Sequence, residues 1–308
     1  MTAPRYRGRF APSPTGPLHF GSLVAALGSY CDARHAGGEW LLRIENVDVG
    51  RARPGWEAHI VATLARYGFA WDGEVVRQSE RTDRYRAALH RLQRQGDVFA
   101  CTCTRRALQQ APLGASGEPV YPGTCRMARR EGQPGPHHAW RLDVQQAGIV
   151  EFVDRLQGKQ VQDLARDVGD FVVLRSDGLF AYQLAVVIDD AEQGVTDVVR
   201  GADLLTSTAR QIHLQRLLGV GTPSYLHLPV AINGAGEKLS KQTEAAPLPS
   251  DPLPALLAAW RFLDQARFPA LPSSIQTFWD HAIRHWNPRR LPPVQMLPAP
   301  GLALDRAV

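Results

Sequence analysis

The chain has 308 residues, of which 44% are apolar and 21% charged, with a formal net charge of +5. That length allows one large domain or two ordinary ones, and that composition excludes intrinsic disorder over most of the chain. No run of eighteen apolar residues occurs, and Met1-Thr2-Ala3-Pro4-Arg5 lacks the basic-then-apolar layout of a secretion signal, so a cytoplasmic protein without a membrane partner is expected. The basic excess is mild and suits a polyanionic partner without demanding one. Only three of the 35 basic residues are lysine (Lys159, Lys238 and Lys241), and two of those stand three residues apart.

Residues 5–10 predict a short strand, followed by the turn Pro12-Ser13-Pro14-Thr15-Gly16-Pro17 and a helix over 18–35 with Leu23, Ala26, Leu27 and Tyr30 on its apolar side. A strand over 40–44 and helices over 56–67 and 81–95 follow, the last lined by Tyr85, Leu89 and Leu92. Strand and helix in alternation predict an α/β fold, a Rossmann-like parallel sheet with ligands at the carboxyl ends of its strands. Between 101 and 166 the periodicity breaks into short pieces with Gly-Pro clusters, which reads as an inserted subdomain. Alternation returns with a strand over 171–174, a turn at Ser176-Asp177-Gly178, an apolar run over 179–188, a strand over 195–199, a helix over 202–218 and a strand over 225–229. Beyond 247 proline is dense, with helical patterns near 253–268 and 274–286 and a disordered tail expected after Pro298. The expected division is 1–100 and 167–245 as two halves of a nucleotide-binding domain, 101–166 as the insertion, and 246–308 as a short helical C-terminal region.

Two elements far apart carry the chemistry. Directly after the first strand, Arg9-Phe10-Ala11-Pro12-Ser13-Pro14-Thr15-Gly16-Pro17-Leu18-His19-Phe20-Gly21-Ser22 leads into a helix start, where free backbone N–H groups and the helix dipole favour an anion. His19 adds an imidazole donor and Gly21 lets a nucleotide lie against the backbone; a proline-rich connection that only caps a helix would share these residues. Downstream, Gly234-Ala235-Gly236-Glu237-Lys238-Leu239-Ser240-Lys241 joins a glycine-rich loop to two ammonium groups that can close over a triphosphate. Alone that is a solvated turn. In a chain with one other lysine, and together with the His-x-Gly turn, it reads as a phosphate clamp.

Four cysteines in a cytosolic-looking chain argue against disulfides. Cys31 falls on the first helix as an apolar residue. Cys101-Thr102-Cys103 and Tyr121-Pro122-Gly123-Thr124-Cys125 offer three thiolates and a phenol, and a structural zinc takes four such donors. The spacing leaves the fourth ligand open between Tyr121, His137 and His138, and leaves open a site without metal. Arg105, Arg106, Arg126, Arg129 and Arg130 near this cluster could meet RNA phosphates or stand in solvent.

His19-Phe20-Gly21-Ser22 and Lys238-Leu239-Ser240-Lys241-Gln242 resemble the HIGH and KMSKS elements of class I aminoacyl-tRNA synthetases. More narrowly, the run from Arg9 to Gly16, Leu42-Arg43-Ile44-Glu45 and Val199-Arg200-Gly201-Ala202-Asp203-Leu204 resemble the glutamyl branch, over residues 5–245 in all. Ser22, Gln242 and Asn46 depart from that pattern, and Ser22 reduces the polar contribution of the helix start. The resemblance implies ATP with Mg²⁺ as substrate, with His19, Gly21 and Lys241 at ATP and His19, Lys238 and Lys241 as the catalytic groups. It assigns glutamate to Arg9, Phe10, Ala11, Pro12, Ser13, Glu45, Tyr182 and Arg200, with Glu45 on the amine. For Tyr182 a place in the core, and for Arg200 a salt bridge to Asp203, are the alternatives. It also implies one structural Zn²⁺ per chain on Cys101, Cys103, Tyr121 and Cys125. The 67 residues after Lys241 are too few and too proline-rich for a domain that reads an anticodon. The resemblance therefore narrows to short glutamyl-type paralogues, monomers that activate glutamate without tRNA and attach it to the queuosine base in the anticodon loop of tRNA(Asp). A divergent enzyme charging the tRNA 3′ end, and a silent tRNA-binding paralogue, are the competing expectations.

Overall fold

A computed structural model describes residues 5–48, 50, 52–108, 111–114, 117, 119–127, 138–239 and 246–300. The chain opens with β1 (Arg7–Phe10), α1 (Phe20–His35), β2 (Glu39–Ile44), α2 (Trp56–Arg66), β3 (Val76–Arg77) and α3 (Thr82–Gln95). The middle holds β4 (Val98–Cys101), α4 (Arg105–Leu108), α5 (Thr124–Met127), β5 (Ala139–Leu142), β6 (Ile149–Asp154), β7 (Gly158–Asp163), α6 (Leu164–Asp167) and β8 (Phe171–Leu174). Next come α7 (Tyr182–Glu192), β9 (Asp197–Gly201), α8 (Thr208–Leu217), β10 (Ser224–Leu228), β11 (Val230–Ile232), α9 (Pro252–Phe262), α10 (Ile275–His285) and β12 (Met296–Pro298).

β1 pairs parallel with β2 and β2 with β3, while β10 pairs parallel with β9 and with β6. The two sets meet where β1 runs beside β9, with the Thr196 N–H donating to the Arg7 carbonyl at 3.0 Å. The chain thus winds away from β1 through α1 to β2, and away from β9 through α8 to β10. Between them lies the crevice at which an open α/β sheet binds its ligand. Alternation along the strands feeds two cores. Val199, Leu226 and Leu228 join the cluster under α1, α9 and α10, whereas Val198 and Tyr225 join the cluster under α3, α7 and α8.

Close packing of α1 on the sheet depends on a glycine. A β-carbon on Gly28 would stand 2.5 Å from Leu228 Cδ1, so any side chain there would displace Leu228 from its place between the helix and β10. α9 starts at an Asp251 cap with Pro252 in its first turn, and α10 starts with a capping box between Ser274 and Thr277. Those signals explain why helices form in a proline-dense stretch. The apolar run over 179–188 is largely helix, starting at Tyr182, with both sides of the run covered. The proline density concealed β12, which pairs parallel with β11 and ends at Pro298. The tail expected after that point lies, from 301 on, outside the described residues.

Segment 101–166 contributes to two sheets. β5 pairs antiparallel with β4 and β8, while β6, antiparallel to β7, extends the main sheet beside β10. Among the described residues no helix is long and apolar enough to cross a membrane.

Candidate active site

The turn after β1 is tied to the end of β2 by the Glu45 N–H, which donates to the Pro12 carbonyl at 3.0 Å. His19 then takes the cap position of α1 with an extended backbone, and its side chain does not cap the helix. The first turn of α1 holds no acid that would compete with an anion there. A β-carbon on Gly21 would lie 3.3 Å from the His19 ring and 3.5 Å from the Leu239 carbonyl. The histidine turn and the lysine loop therefore touch, and glycine keeps the gap between them clear. On the other side of that loop Pro247 forms a β-bridge with His19, and the Leu248 N–H donates to the Leu18 carbonyl at 3.0 Å. Lys241 lies outside the described residues; Leu239 and Pro247, which flank it, both sit at the start of α1.

A cavity of 460 Å³ opens at this point, at the carboxyl ends of β1, β2, β9 and β10. Its walls include Arg9, Phe10, Ala11, Pro12, Ser13, His19, Gly21, Glu45, Tyr182, Arg200 and Lys238. Every described residue expected at ATP or glutamate thus lines one space.

Charge in this cavity is held by residues that sequence reading did not single out. Arg9, buried on β1, donates from Nε and Nη2 to the two oxygens of Asp190 at 3.1 and 3.3 Å. Asp190 also takes Nη2 of Arg43 at 2.7 Å, and Arg43, fully buried, reaches Glu45 at 3.5 Å. Its neighbour Asp189 accepts from Gln78 at 2.8 Å, from Arg81 at 2.6 Å and from the Tyr85 hydroxyl at 2.9 Å. Burial alone would raise Asp190, but Arg9 and Arg43 outweigh it and hold the carboxyl below its usual range. Glu45 goes the other way: burial pushes it up to about 7, with Arg43 and Arg9 offsetting only part. A signal for this network existed. Arg43 interrupts the apolar Leu41-Leu42/Ile44 strand, and Asp189-Asp190 close the apolar Leu184–Ile188 stretch, and charges in such places need partners.

On the opposite wall Arg200 is the penultimate residue of β9. Its Nε donates to His227 Nε2 at 3.0 Å, Nη1 to the Tyr182 hydroxyl at 3.3 Å and Nη2 to Thr208 Oγ1 at 2.9 Å. The salt bridge considered between Arg200 and Asp203 does not form; Asp203 pairs with Lys238 instead. Tyr182, half-buried at the first turn of α7, faces the cavity with its hydroxyl on Arg200.

The family profile for the catalytic domain of class I tRNA synthetases (E and Q) matches residues 5–249. The chain belongs to this family. Curated relatives named Glutamyl-Q tRNA(Asp) synthetase include one from Aromatoleum aromaticum, 56% identical over 99% of this chain and 96% of its own length. Another, from Dechloromonas aromatica, is 55% identical over 93% of this chain and 95% of its own. Among solved structures, a glutamate tRNA ligase from Elizabethkingia meningosepticum in complex with its amino acid is similar with a TM-score of 0.76 at 26% identity, covering 95% of this chain and 67% of that one.

In this synthetase the cysteines converge as well. Cys101, Cys103 and Cys125 present sulfurs within 4.8 Å of one another, with Cys103 and Cys125 at 3.5 Å. The Tyr121 oxygen lies 3.4 Å from Cys101 and 3.6 Å from Cys103, and it accepts the Cys125 N–H at 2.9 Å. Sulfurs bound to one tetrahedral zinc at ~2.3 Å stand roughly 3.8 Å apart, so three sulfurs and one phenol oxygen at these separations fit that ion. His138 packs edge-on against Trp140, and His137, the other fallback, lies outside the described residues. Arg141 donates to Cys101 at 3.3 Å and stacks over the Tyr121 ring at 4.2 Å, a cation against groups that are anionic when metallated. Gly169, at φ 71°, brings its backbone against Tyr121; a β-carbon there would meet the Tyr121 nitrogen at 2.7 Å. Cys31 is buried in α1 among apolar side chains, as expected. Of the neighbouring arginines, Arg126 pairs with Asp170 at 2.5 Å and Arg106 is exposed, while Arg129 and Arg130 lie outside the described residues.

A second cavity of 580 Å³ shares Ser13, Thr15, Glu45 and Tyr182 with the first and extends to Cys103 and Arg141. Glu45 and Tyr182 thus stand in the wall that the two spaces share.

Proposed function

We propose that this synthetase activates L-glutamate with ATP and Mg²⁺ and transfers the glutamyl group to the queuosine base in the anticodon loop of tRNA(Asp), as a cytoplasmic monomer. The observation that carries the reading is the single cavity uniting the His19 turn, Lys238, Glu45, Arg9 and Arg200, in a chain matched nearly end to end by relatives named for that product. Mg²⁺ bound with ATP offsets charge on the phosphates. Glu45 receives the substrate ammonium, and Arg200 with Tyr182 receives a carboxylate. Arg9 keeps Nη1 for the substrate, because Asp190 occupies its other edge. Phe10, Ala11, Pro12 and Ser13 wall the amino-acid end. An oxygen of the glutamate α-carboxylate attacks the α-phosphorus and pyrophosphate leaves. Negative charge that grows on the phosphate oxygens meets His19, Lys238 and Lys241, donors of a kind worth about 3 kcal/mol each. Gly21 leaves the nucleotide room against the backbone. In the second step a hydroxyl of the queuosine cyclopentene ring attacks the mixed anhydride, and AMP departs. The second cavity, which shares Glu45 and Tyr182 with the first, would admit that acceptor. One structural zinc on Cys101, Cys103, Tyr121 and Cys125 would brace its far wall, within an insertion over 101–166 between the catalytic halves 1–100 and 167–245, with 246–308 as the C-terminal region.

The test is glutamate-dependent ATP–pyrophosphate exchange without tRNA, then digestion of tRNA(Asp) labelled with radioactive glutamate. Label on the queuosine nucleoside is expected; label on the terminal adenosine overturns the reading. His19→Ala should lower exchange about 10²–10³-fold with unchanged melting.

A further inference from the structure

Two arginines wall the amino-acid end of the cavity, and they are held by chemically different partners. Arg9 rests on a carboxylate, Asp190, through two hydrogen bonds, so its charge is locally offset. Arg200 is equally buried, but its hydrogen-bond partners are an imidazole, a phenol, a hydroxyl and a carbonyl, none of them an acid.

The imidazole is itself held from behind. His227 sits on β10 with no exposure, and its Nδ1 lies 2.6 Å from Asp154 Oδ2 at the end of β6. Asp154 Oδ1 accepts the backbone N–H groups of Leu156, Gln157 and His227 at 3.0, 2.8 and 3.2 Å. With all those donors the carboxyl is an anion, below its ordinary range although burial works against it. An anion opposite Nδ1 puts the ring proton there, and Nε2 is left as a lone pair that accepts from Arg200 Nε. Burial pushes His227 down to about 4, against the pull of Asp154 and with that of Arg200, so the ring is neutral at working pH.

We propose that His227, held by Asp154, is the positioning residue for the substrate-binding guanidinium: it fixes the Nε edge of Arg200 with a lone pair instead of a charge. The Nη1 edge is thereby presented beside Tyr182 with the positive charge of Arg200 still available to a carboxylate. A carboxylate in place of His227 would position Arg200 equally well but would compete with the substrate for it. The inference rests on the reading that Arg200 binds glutamate.

Asp154→Asn tests it with little change of shape. The amide oxygen can keep the three backbone bonds, while the amide nitrogen donates to Nδ1 and forces the ring proton onto Nε2, against the Arg200 Nε–H. The expected result in pyrophosphate exchange is a KM for glutamate raised tenfold or more, a KM for ATP within twofold of wild type, and kcat within threefold. Arg200→Ala is measured alongside. If it raises the glutamate KM and Asp154→Asn does not, positioning by His227 is wrong and the pocket stands. If Arg200→Ala leaves that KM unchanged, the pocket reading fails and the positioning role falls with it. Independently of any variant's folding, ¹⁵N spectra of the wild-type histidines should show His227 protonated on Nδ1; a proton on Nε2 overturns the proposal.

Discussion

Cys101, Cys103, Tyr121 and Cys125 come from one short stretch and meet across contacts of 3.4–3.6 Å, whereas Arg9, Glu45, Tyr182, Arg200 and Lys238 come from five separate elements. In the first region the donors are their own neighbours, and a metal would complete them. In the second, the arginines lean on buried residues remote in sequence, Arg9 on Asp190 and Arg200 on His227, while Lys238 pairs with the exposed Asp203. A local cluster can lose a ligand and leave the rest of the chain folded. A distributed cavity built from buried charge cannot lose a partner without stranding another charge in the core.

The largest effect follows from that asymmetry. Asp190→Ala leaves Arg9 and Arg43 facing each other without their shared carboxylate, and should destabilise the fold by about 3–5 kcal/mol in urea titrations. A loss under 1 kcal/mol would mean the cavity is as tolerant as the cluster. A smaller effect is expected from Cys125→Ser, which should abolish stoichiometric zinc in metal analysis and lower melting by about 4 °C, roughly 1–2 kcal/mol in a chain of this size. Glutamate-dependent pyrophosphate exchange should stay within threefold; its loss would tie the cluster to activation and erase the contrast.

The finest test uses Glu45, whose carboxyl burial raises to about 7 from an ordinary value near 4.5. As pH falls through 7 the group takes up a proton and loses the charge proposed to meet the substrate ammonium, so kcat/KM for glutamate should drop about tenfold per unit below that point. Stability has the opposite sign. Between about 4.5 and 7 the folded state binds more protons than the unfolded one, so this group's contribution falls as pH rises through that window. Glu45→Gln should remove both trends. An activity profile flat from 6 to 8 in wild type would contradict the placement of this acid.

The parallel sheet, the strand-turn-helix around His19 and the amphipathic α3 were legible because each depends on periodicity and turn chemistry within a dozen residues. Lys238 stood out because lysine is scarce here. The partners were harder to read. Nothing near Arg43 in sequence marks Asp189 or Asp190 as its counter-charges, and nothing near Arg200 marks His227 or Asp154. α7 and β12 were blurred for a related reason: a run buried on all sides loses the period that separates helix from strand, and an edge strand paired by three residues leaves almost no pattern.

What the amino-acid order alone determined is the inventory: the imidazole, the ammonium groups, the acids and arginines, the thiols, and the local elements that carry them, since propensity and capping act between near neighbours. Which acid neutralises which arginine, and which arginine is left with charge to offer, was decided only when the strands came together. Coulomb energy depends on distance and burial, and β1, α7, β9 and β10 acquire both by packing.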